Sequence, residues 1–280
     1  MGTERAAPQG KRRPPLQERQ PSTIRKRPIA ESATGTLLGL DAKLPAFPAV
    51  RLVTGRSIAA LRWIDRGPEP DEVDQYADRY TQGWVDYFQN RAGERPTDFL
   101  WTLFRTTLGH QSNGNCWYCE RQCNPEVAGR DATVDHFRPI SLFPHLAYAW
   151  SNWIFSCQGC NAEKGNKWPD SEYVDPCARV AAERPGQYLD YDADTGEIIS
   201  REGLSESARR KALNTIHDLG LNRLDVRFYR LQWTRQFLTD LLSLPVSERL
   251  AFAQFITQQP VEYAGVTGMV VEQLRLDGCI

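Results

Sequence analysis

Two Cys-x-x-Cys pairs place the tightest constraint on what this chain can fold into. Their cysteines are Cys116, Cys119, Cys157 and Cys160, and 37 residues separate the two pairs. Four thiolates complete a tetrahedral zinc site, and paired Cys-x-x-Cys motifs are the usual way to assemble one. A redox motif is the alternative, but neither pair follows a strand in a strand–helix–strand pattern. The sequence therefore predicts one structural Zn²⁺ held by these four cysteines.

The composition places the chain among soluble globular proteins. Of its 280 residues, 41% are hydrophobic and 25% are charged, which excludes a mostly disordered chain, a collagen and a coiled-coil rod. No apolar run approaches about 18 residues, and the N-terminus lacks the apolar segment of a secretory signal. We therefore expect a cytoplasmic protein with no membrane partner. Cys123, Cys177 and Cys279 fit no ligand spacing and are predicted to be ordinary thiols.

Local composition divides the chain into four predicted regions. Residues 1–36 are rich in proline and charge, so we expect a disordered basic arm. Residues 37–115 form a helical N-terminal region, and residues 116–170 hold the cysteine pairs among short β-branched or aromatic runs. Residues 171–280 have the pattern of a hairpin followed by helices.

The charge of the chain is unevenly distributed. Residues 1–30 carry eight basic and two acidic side chains, a net charge of +6, whereas residues 31–280 carry −7. A mildly acidic body does not attract nucleic acid in bulk, but a basic arm does so by releasing counterions from phosphates. A solvated terminus with no partner is the alternative interpretation.

Apolar periodicity predicts the positions of most helices. Residues 73–88 have the spacing of one helical face, and a second helix opens after Pro96 and ends near Gly109. Its predicted apolar face consists of Leu100, Leu103, Phe104 and Leu108. In the C-terminal region a hairpin is predicted over residues 188–200, and Asn222 with Asp225 is predicted as an N-cap pair. Helices are predicted near residues 205–219, 222–243, 247–258 and 261–275.

The segment between the cysteine pairs contains a compact set of polar motifs. Asp135-His136 stands at the end of a predicted strand, and residues 151–156 form a second short strand that leads into the second pair. Residues 161–165 follow that pair and are predicted to form a short helix closed by glycine. The predicted order is therefore strand, strand, helix, with zinc tying the base of the hairpin to the helix.

With these elements the chain resembles the HNH endonucleases, the zinc-containing branch of the ββα-metal nucleases. The matching motifs, within residues 116–168, are CWYC, VDHFRP, NW and CNAEKG. The resemblance implies a metal-dependent endonuclease that hydrolyses phosphodiester bonds in nucleic acid, DNA or RNA. It also implies an α+β, mainly helical fold, in which a zinc-stapled ββα-metal HNH unit is embedded between helical flanks.

The resemblance assigns a role to each motif residue. His136 matches the general base that takes a proton from the attacking water, a task suited to its ordinary pKa near neutrality. Asp135 and Asn161 match the ligands of a catalytic divalent ion, for which hard oxygen donors favour Mg²⁺ or Mn²⁺. Asn152 matches the residue that pins the loop between the strands.

Two basic residues near these motifs are predicted phosphate contacts. Lys164 lies one helical turn after Asn161, and Arg138 follows the Asp-His pair by two positions. A solvated helix face is the alternative interpretation for Lys164.

The flanks are similar to those of the retron- and Septu-associated (PtuB-like) HNH effectors of bacterial anti-phage defence. The similar elements are Trp168-Pro169, residues 174–177, the hairpin over residues 188–199 and residues 215–223. This resemblance implies a toxic effector with an ATPase partner in a multi-subunit complex. A restriction-type or housekeeping HNH nuclease and a non-catalytic zinc-containing nucleic-acid-binding module are the alternatives. The trio Asp135, His136 and Asn161 argues against the second of these, because a pure binding module has no use for it.

Overall fold

The computed structural model describes residues 62–124, 131–258 and 261–280, which all belong to the unit Val50–Ile280. This described part holds seven α-helices and two separate two-stranded sheets, in agreement with the predicted mixed, mainly helical class. The helices are α1 Asp71–Phe88, α2 Arg105–His110, α3 Gln158–Lys164, α4 Glu206–Asp218, α5 Leu224–Ser243, α6 Val246–Gln258 and α7 Ala264–Leu276. The strands are β1 Ala132–His136, β2 Trp153–Cys157, β3 Leu189–Asp192 and β4 Glu197–Ser200. Short 3₁₀ turns cover Leu100–Phe104, Pro144–Leu146, Trp150–Asn152, Ala181–Glu183 and Pro185–Gln187.

β1 and β2 form an antiparallel hairpin in the middle of the core. In its register Thr133 pairs with Ser156 and Asp135 pairs with Ile154, and all five residues of β2 are buried. Side chains alternate between the two faces of a strand. Thr133 and Asp135 therefore share one face of β1, and His136 lies on the other.

α3 follows β2 without an intervening loop. The Cys157 sulfur accepts a hydrogen bond from the backbone N–H of Cys160 at 3.4 Å, which caps the N-terminus of the helix. Gly165, with a φ of +51°, follows its last residue. The hairpin of β1 and β2 is thus followed directly by a short helix that ends at a glycine.

α1 packs an aromatic layer behind the hairpin. Val73 and Trp84 are fully buried, and the Trp84 ring lies 5.6 Å from the Trp101 ring. Trp101 in turn lies 4.5 Å from the imidazole of His136, centroid to centroid and nearly perpendicular to it. The predicted helix over residues 73–88 is confirmed, and through Trp101 it supports the far face of β1.

The helix predicted after Pro96 is wrong in form. A 3₁₀ turn over Leu100–Phe104 precedes the six-residue α2. In this turn Trp101 and Phe104 are buried while Leu103, which was expected on the apolar face, is 64% exposed. The buried pair is spaced by three residues, the period of a 3₁₀ helix. Packing of the two aromatic rings therefore decides the local geometry.

The C-terminal region contains the predicted hairpin and the four predicted helices. Asn222 does not cap α5 as predicted, because its side chain binds both the N–H and the carbonyl of Ile198 in β4 at 2.8 Å. Arg223 occupies the N-cap position instead, and Asp225 pairs with its guanidinium at 3.5 Å. Because the backbone groups of β4 bind the Asn222 side chain, this side chain is not available to cap α5.

The predicted disordered basic arm over residues 1–36, and the first part of the predicted helical region, lie outside the described residues. No helix in the described part of the chain combines the length and the apolar character needed to cross a membrane.

Candidate active site and metal centre

The four predicted zinc ligands meet at the start of α3. Their sulfur atoms all lie within 4.8 Å of one another, and Cys116, Cys119, Cys157 and Cys160 are buried. The first pair reaches this position because the N–H of Trp117 donates to the carbonyl of Phe155 in β2 at 2.9 Å. The second pair sits where β2 becomes α3, so the hairpin brings both pairs together.

The geometry of this cluster fits zinc. Tetrahedral zinc, with Zn–S bonds of about 2.3 Å, separates its sulfur atoms by about 3.8 Å. The sulfurs of Cys119 and Cys157 are 3.8 Å apart. Burial raises the pKa of the Cys116 thiol, so four adjacent thiolates require a cation to offset their desolvation and mutual repulsion. A structural zinc ion bound by these four cysteines would supply that charge and would tie the base of the hairpin to α3.

Cys123 is closer to the cluster than its sequence spacing indicates. Its thiol is 1% exposed and donates to the carbonyl of Arg121 at 3.4 Å. A hydrogen bond with Cys157 is the largest cause that raises the pKa of Cys123, followed by burial. Cys123 is thus a neighbour of the metal centre and lies outside the set of four ligands.

Glu120 joins the first cysteine pair to the C-terminal helix. Its carboxylate accepts hydrogen bonds from the N–H groups of Gly265 at 3.1 Å and Val266 at 3.4 Å, in the first turn of α7. Its carbonyl accepts from the N–H of Tyr263 at 3.2 Å. Glu120 has a φ of +63° and is 5% exposed. An acidic residue suits this position, since backbone N–H groups at a helix N-terminus lack partners and attract negative charge.

Asp135 is held by two side chains that the motif pattern does not reveal. The Tyr118 hydroxyl donates to Oδ2 at 2.7 Å, and the Lys164 ammonium lies 3.1 Å from Oδ1 and 3.0 Å from Oδ2. Asp135 is 5% exposed, and its burial raises the pKa of the carboxyl above its ordinary value, although both partners oppose this rise. Tyr118 lies between the cysteines of the first pair, where no spacing rule identifies it as a partner.

His136 is fixed on the opposite face of β1. Its Nε2 lies 2.9 Å from the carbonyl oxygen of Ala147, which also accepts a hydrogen bond from Trp153 Nε1 at 2.9 Å. A carbonyl only accepts, so Nε2 carries the proton and Nδ1 of the neutral ring is an acceptor. Burial lowers the pKa of His136 to about 4, which keeps the imidazole neutral at physiological pH.

Asn152 makes contacts typical of a loop-pinning residue. Its Oδ1 accepts from the N–H of Arg138 at 2.8 Å. Its Nδ2 donates to the carbonyls of Arg138 at 3.0 Å and Leu146 at 3.2 Å. These bonds span the loop between β1 and β2 and hold the segment that follows His136.

Asn161 and Lys164 approach the same face of β1 from α3. The Asn161 amide donates to the Thr133 hydroxyl at 3.0 Å, two positions before Asp135 on that strand. Lys164 binds Asp135 and also donates to the backbone carbonyl of His136 at 2.7 Å. The structure therefore brings Asp135, Asn161 and Lys164 to one side of the strand, and His136 to the other.

The alternative interpretation of Lys164 as a solvated helix residue is wrong, while its phosphate contact remains a prediction. The side chain is completely buried, and its hydrogen bonds to Asp135 Oδ1 and the His136 carbonyl, with its ion pair to Asp135 Oδ2, leave it facing the protein. Arg138, by contrast, has a 43% exposed side chain that pairs with Glu172 at 3.2 Å. Its guanidinium lies over the Trp168 ring at 5.5 Å.

The pair Asp135 and Asn161 does not fit a hard divalent ion in this arrangement. Both carboxylate oxygens of Asp135 already bind the ammonium of Lys164, and Tyr118 binds one of them. A divalent ion that retains its water ligands needs exposed oxygen donors, whereas Asp135 is 5% exposed. The predicted Mg²⁺ or Mn²⁺ at these residues thus remains a prediction, and it requires Lys164 to leave the carboxylate.

Comparison with known families agrees with this geometry. Residues 116–167 match the family model described as HNH endonuclease. The matched segment runs from the first predicted zinc ligand, through the hairpin with Asp135 and His136, to three residues beyond the end of α3. This segment therefore has the pattern of an HNH endonuclease domain, which supports a nuclease function in general. No curated protein matches the chain, so the narrower resemblance to anti-phage effectors rests on its sequence motifs alone.

Proposed function

We propose that this protein is a metal-dependent HNH endonuclease that hydrolyses phosphodiester bonds in nucleic acid, with His136 as its general base. The position of His136 carries this proposal. The hydrogen bond from Nε2 to the Ala147 carbonyl leaves Nδ1 able to accept a proton from water. The lowered pKa keeps the ring in the neutral form that a general base requires.

The partners of His136 hold this base in one orientation. Trp153 donates to the same Ala147 carbonyl, and Trp101 packs edge-to-face against the ring. Lys164 fixes the backbone carbonyl of His136 from the other side of the strand. Fixed orientation matters because a base contributes to the rate only when it reaches the water in the attacking geometry.

Arg138 is the proposed phosphate contact. Its side chain is partly exposed two residues after His136, and Asn152 fixes its backbone on both sides. A guanidinium binds phosphate oxygens through two parallel hydrogen bonds, and a phosphate would compete with Glu172 for this group. Such a contact binds the phosphate backbone of the nucleic acid and does not distinguish one base from another.

A catalytic divalent ion is part of the proposed mechanism. The HNH family uses divalent metals, and a bound ion would supply positive charge for the leaving oxygen. Asp135 and Asn161 are the ligands that the sequence motifs predict. Since Lys164 occupies the Asp135 carboxylate, an ion at this site must compete with the ammonium for the same oxygens.

A non-catalytic zinc-containing binding module is the second candidate. The buried pair of Asp135 with Lys164 favours it, because a carboxylate neutralised by lysine is not available to a metal ion. An endonuclease cleaves the nucleic acid that it binds, whereas a binding module leaves it intact.

A cleavage assay separates these candidates. Purified protein is incubated with plasmid DNA, single-stranded DNA and RNA, with Mg²⁺, with Mn²⁺ and with a chelator, beside His136→Ala as the matched control. The proposal expects metal-dependent cleavage of at least one substrate by the wild type and none by the variant. Binding without cleavage under every condition would favour the binding module.

We also propose a role in anti-phage defence, with an ATPase partner. The sequence resemblance of the flanks supports this role, and exposed apolar side chains on α5 and α6 support a protein partner. Leu224 and Phe228, one turn apart on α5, are 83% and 55% exposed, and Val246 and Phe255 on α6 are 66% and 59% exposed. Co-purification with a neighbouring ATPase gene product tests the partner, and loss of phage protection in His136→Ala tests the role. A housekeeping or restriction-type nuclease would show neither.

A further inference from the structure

Arg223 reaches the metal cluster from the connection between α4 and α5. Its Nη1 donates to the sulfur of Cys160 at 3.6 Å, across 63 positions of sequence. The same nitrogen donates to the carbonyls of Leu219 at 3.1 Å and Gly220 at 3.2 Å, at the end of α4. The side chain is only 18% exposed. This arginine therefore joins the C-terminal helices directly to a predicted zinc ligand.

Two glycines make room for the Arg223 side chain. A Cβ atom at Gly159, inside the second cysteine pair, would lie 2.8 Å from Nη2 of Arg223. A Cβ atom at Gly220 would lie 2.9 Å from Cγ of Arg223, and Gly220 has a φ of +58°. Any larger residue at Gly159 would push the guanidinium away from the cysteine pair.

The electrostatics of the cluster explain why a cation belongs there. Four thiolates around a divalent ion leave a net negative charge, and a buried charge is costly unless it is paired. The guanidinium of Arg223 brings a positive charge to within 3.6 Å of the Cys160 sulfur.

We propose that Arg223 is a positioning residue of the zinc centre, which stabilises the Cys160 thiolate by an N–H···S hydrogen bond and by its positive charge. In this role Arg223 slows the loss of zinc, so the zinc affinity of the four cysteines depends on the connection between α4 and α5. The inference rests on the proposed zinc occupancy and is independent of the nuclease activity. It assigns a metal-site function to a residue outside the matched segment 116–167.

The test measures zinc binding in Arg223→Gln and Arg223→Lys. Arg227→Gln is the matched control, because Arg227 lies one turn later, in α5, and binds the Thr195 carbonyl and Glu197. Loss of an outer hydrogen bond to a metal ligand typically costs about 10–100-fold in metal affinity. We expect that increase in the zinc dissociation constant for Arg223→Gln, a smaller one for Arg223→Lys, and none for the control.

Cobalt substitution adds a readout that a merely structural role would not change. Without its hydrogen bond the Cys160 thiolate becomes a stronger donor, so the sulfur-to-cobalt charge-transfer band should move to longer wavelength in Arg223→Gln. If that variant does not fold, Gly159→Ala displaces the guanidinium while keeping the arginine, and the same changes are expected.

Unchanged zinc affinity and cobalt spectrum in the folded variant would overturn the inference. A zinc-free wild type would overturn it together with the zinc assignment, whereas zinc-loaded protein without cleavage would affect the nuclease proposal only.

Discussion

The ammonium of Lys164 binds both carboxylate oxygens of Asp135, at 3.1 Å from Oδ1 and 3.0 Å from Oδ2. The pair is buried, and the same ammonium donates to the carbonyl of His136. One lysine therefore neutralises the proposed metal ligand and fixes the backbone of the proposed base. The ion pair between Asp135 and Lys164 therefore affects both the stability of the domain and the state of the proposed catalytic groups.

Replacing Lys164 by Met should destabilise the fold strongly. Breaking a buried ion pair from one side leaves an uncompensated charge and costs about 3–5 kcal/mol. Denaturant unfolding checks this value, with Lys167→Met as the control, because the side chain of Lys167 is 49% exposed and its pair with Asp218 is 3.8 Å long. The control should change stability by less than about 1 kcal/mol. The double variant with Asp135→Asn should recover much of the loss, and a simple sum of two losses would contradict a direct pair.

His136→Ala should remove cleavage and also lower the melting temperature. Loss of a general base typically costs about 10²–10⁴-fold in rate. The ring is also buried and packs against Trp101, so its removal leaves a cavity that destabilises the fold. His145→Ala is the control, since His145 is exposed. A His136→Ala protein that retains most of its cleavage would refute the assignment.

Acid should destabilise the wild type through His136. Folding lowers the pKa of this group from 6.5 to about 4, so the unfolded chain binds the proton first as the pH falls. The stability contribution of the neutral ring is complete above about pH 6.5 and is lost as the pH falls toward 4, on the order of 3 kcal/mol in total. Unfolding free energies of wild type and His136→Gln, measured between pH 4 and 7, should differ in slope. Parallel curves would show that the ring titrates alike in both states.

Cys116→Ser should lose zinc and unfold at a lower temperature. A structural zinc site contributes its binding energy to folding, so loss of one thiolate weakens both. Cys123→Ser is the matched control, because Cys123 is buried beside the cluster but is not one of its four cysteines. Zinc content by elemental analysis and melting temperature should change in the first variant, while the second retains one zinc per chain. Equal zinc loss in both would mean that Cys123 is a ligand.

The sequence predicts the metal centre better than the environment of the proposed base. Each cysteine pair is a short motif that can be recognised from its own spacing, so the two pairs indicate their cluster directly. The alternation of side chains along a strand likewise places Asp135 and His136 on opposite faces of β1. The partner of Asp135 is 29 positions away on α3, and only tertiary packing selects it. The Asn222 error has the same origin, since the edge of β4 competes for its amide. Long-range partners are set by packing, which motifs do not encode.

The bonds between Glu120 and α7 have a consequence for how the chain assembles during synthesis. The carboxylate of Glu120, beside the first cysteine pair, accepts hydrogen bonds from the N–H groups of Gly265 and Val266, about 145 residues later in the chain. Chains emerge from the ribosome N-terminus first, at about 5–20 residues per second. The HNH segment therefore leaves the ribosome well before the helix that completes its support. Until that helix arrives, the Glu120 carboxylate lacks two of its hydrogen-bond donors, so this support of the first cysteine pair is completed only late in synthesis.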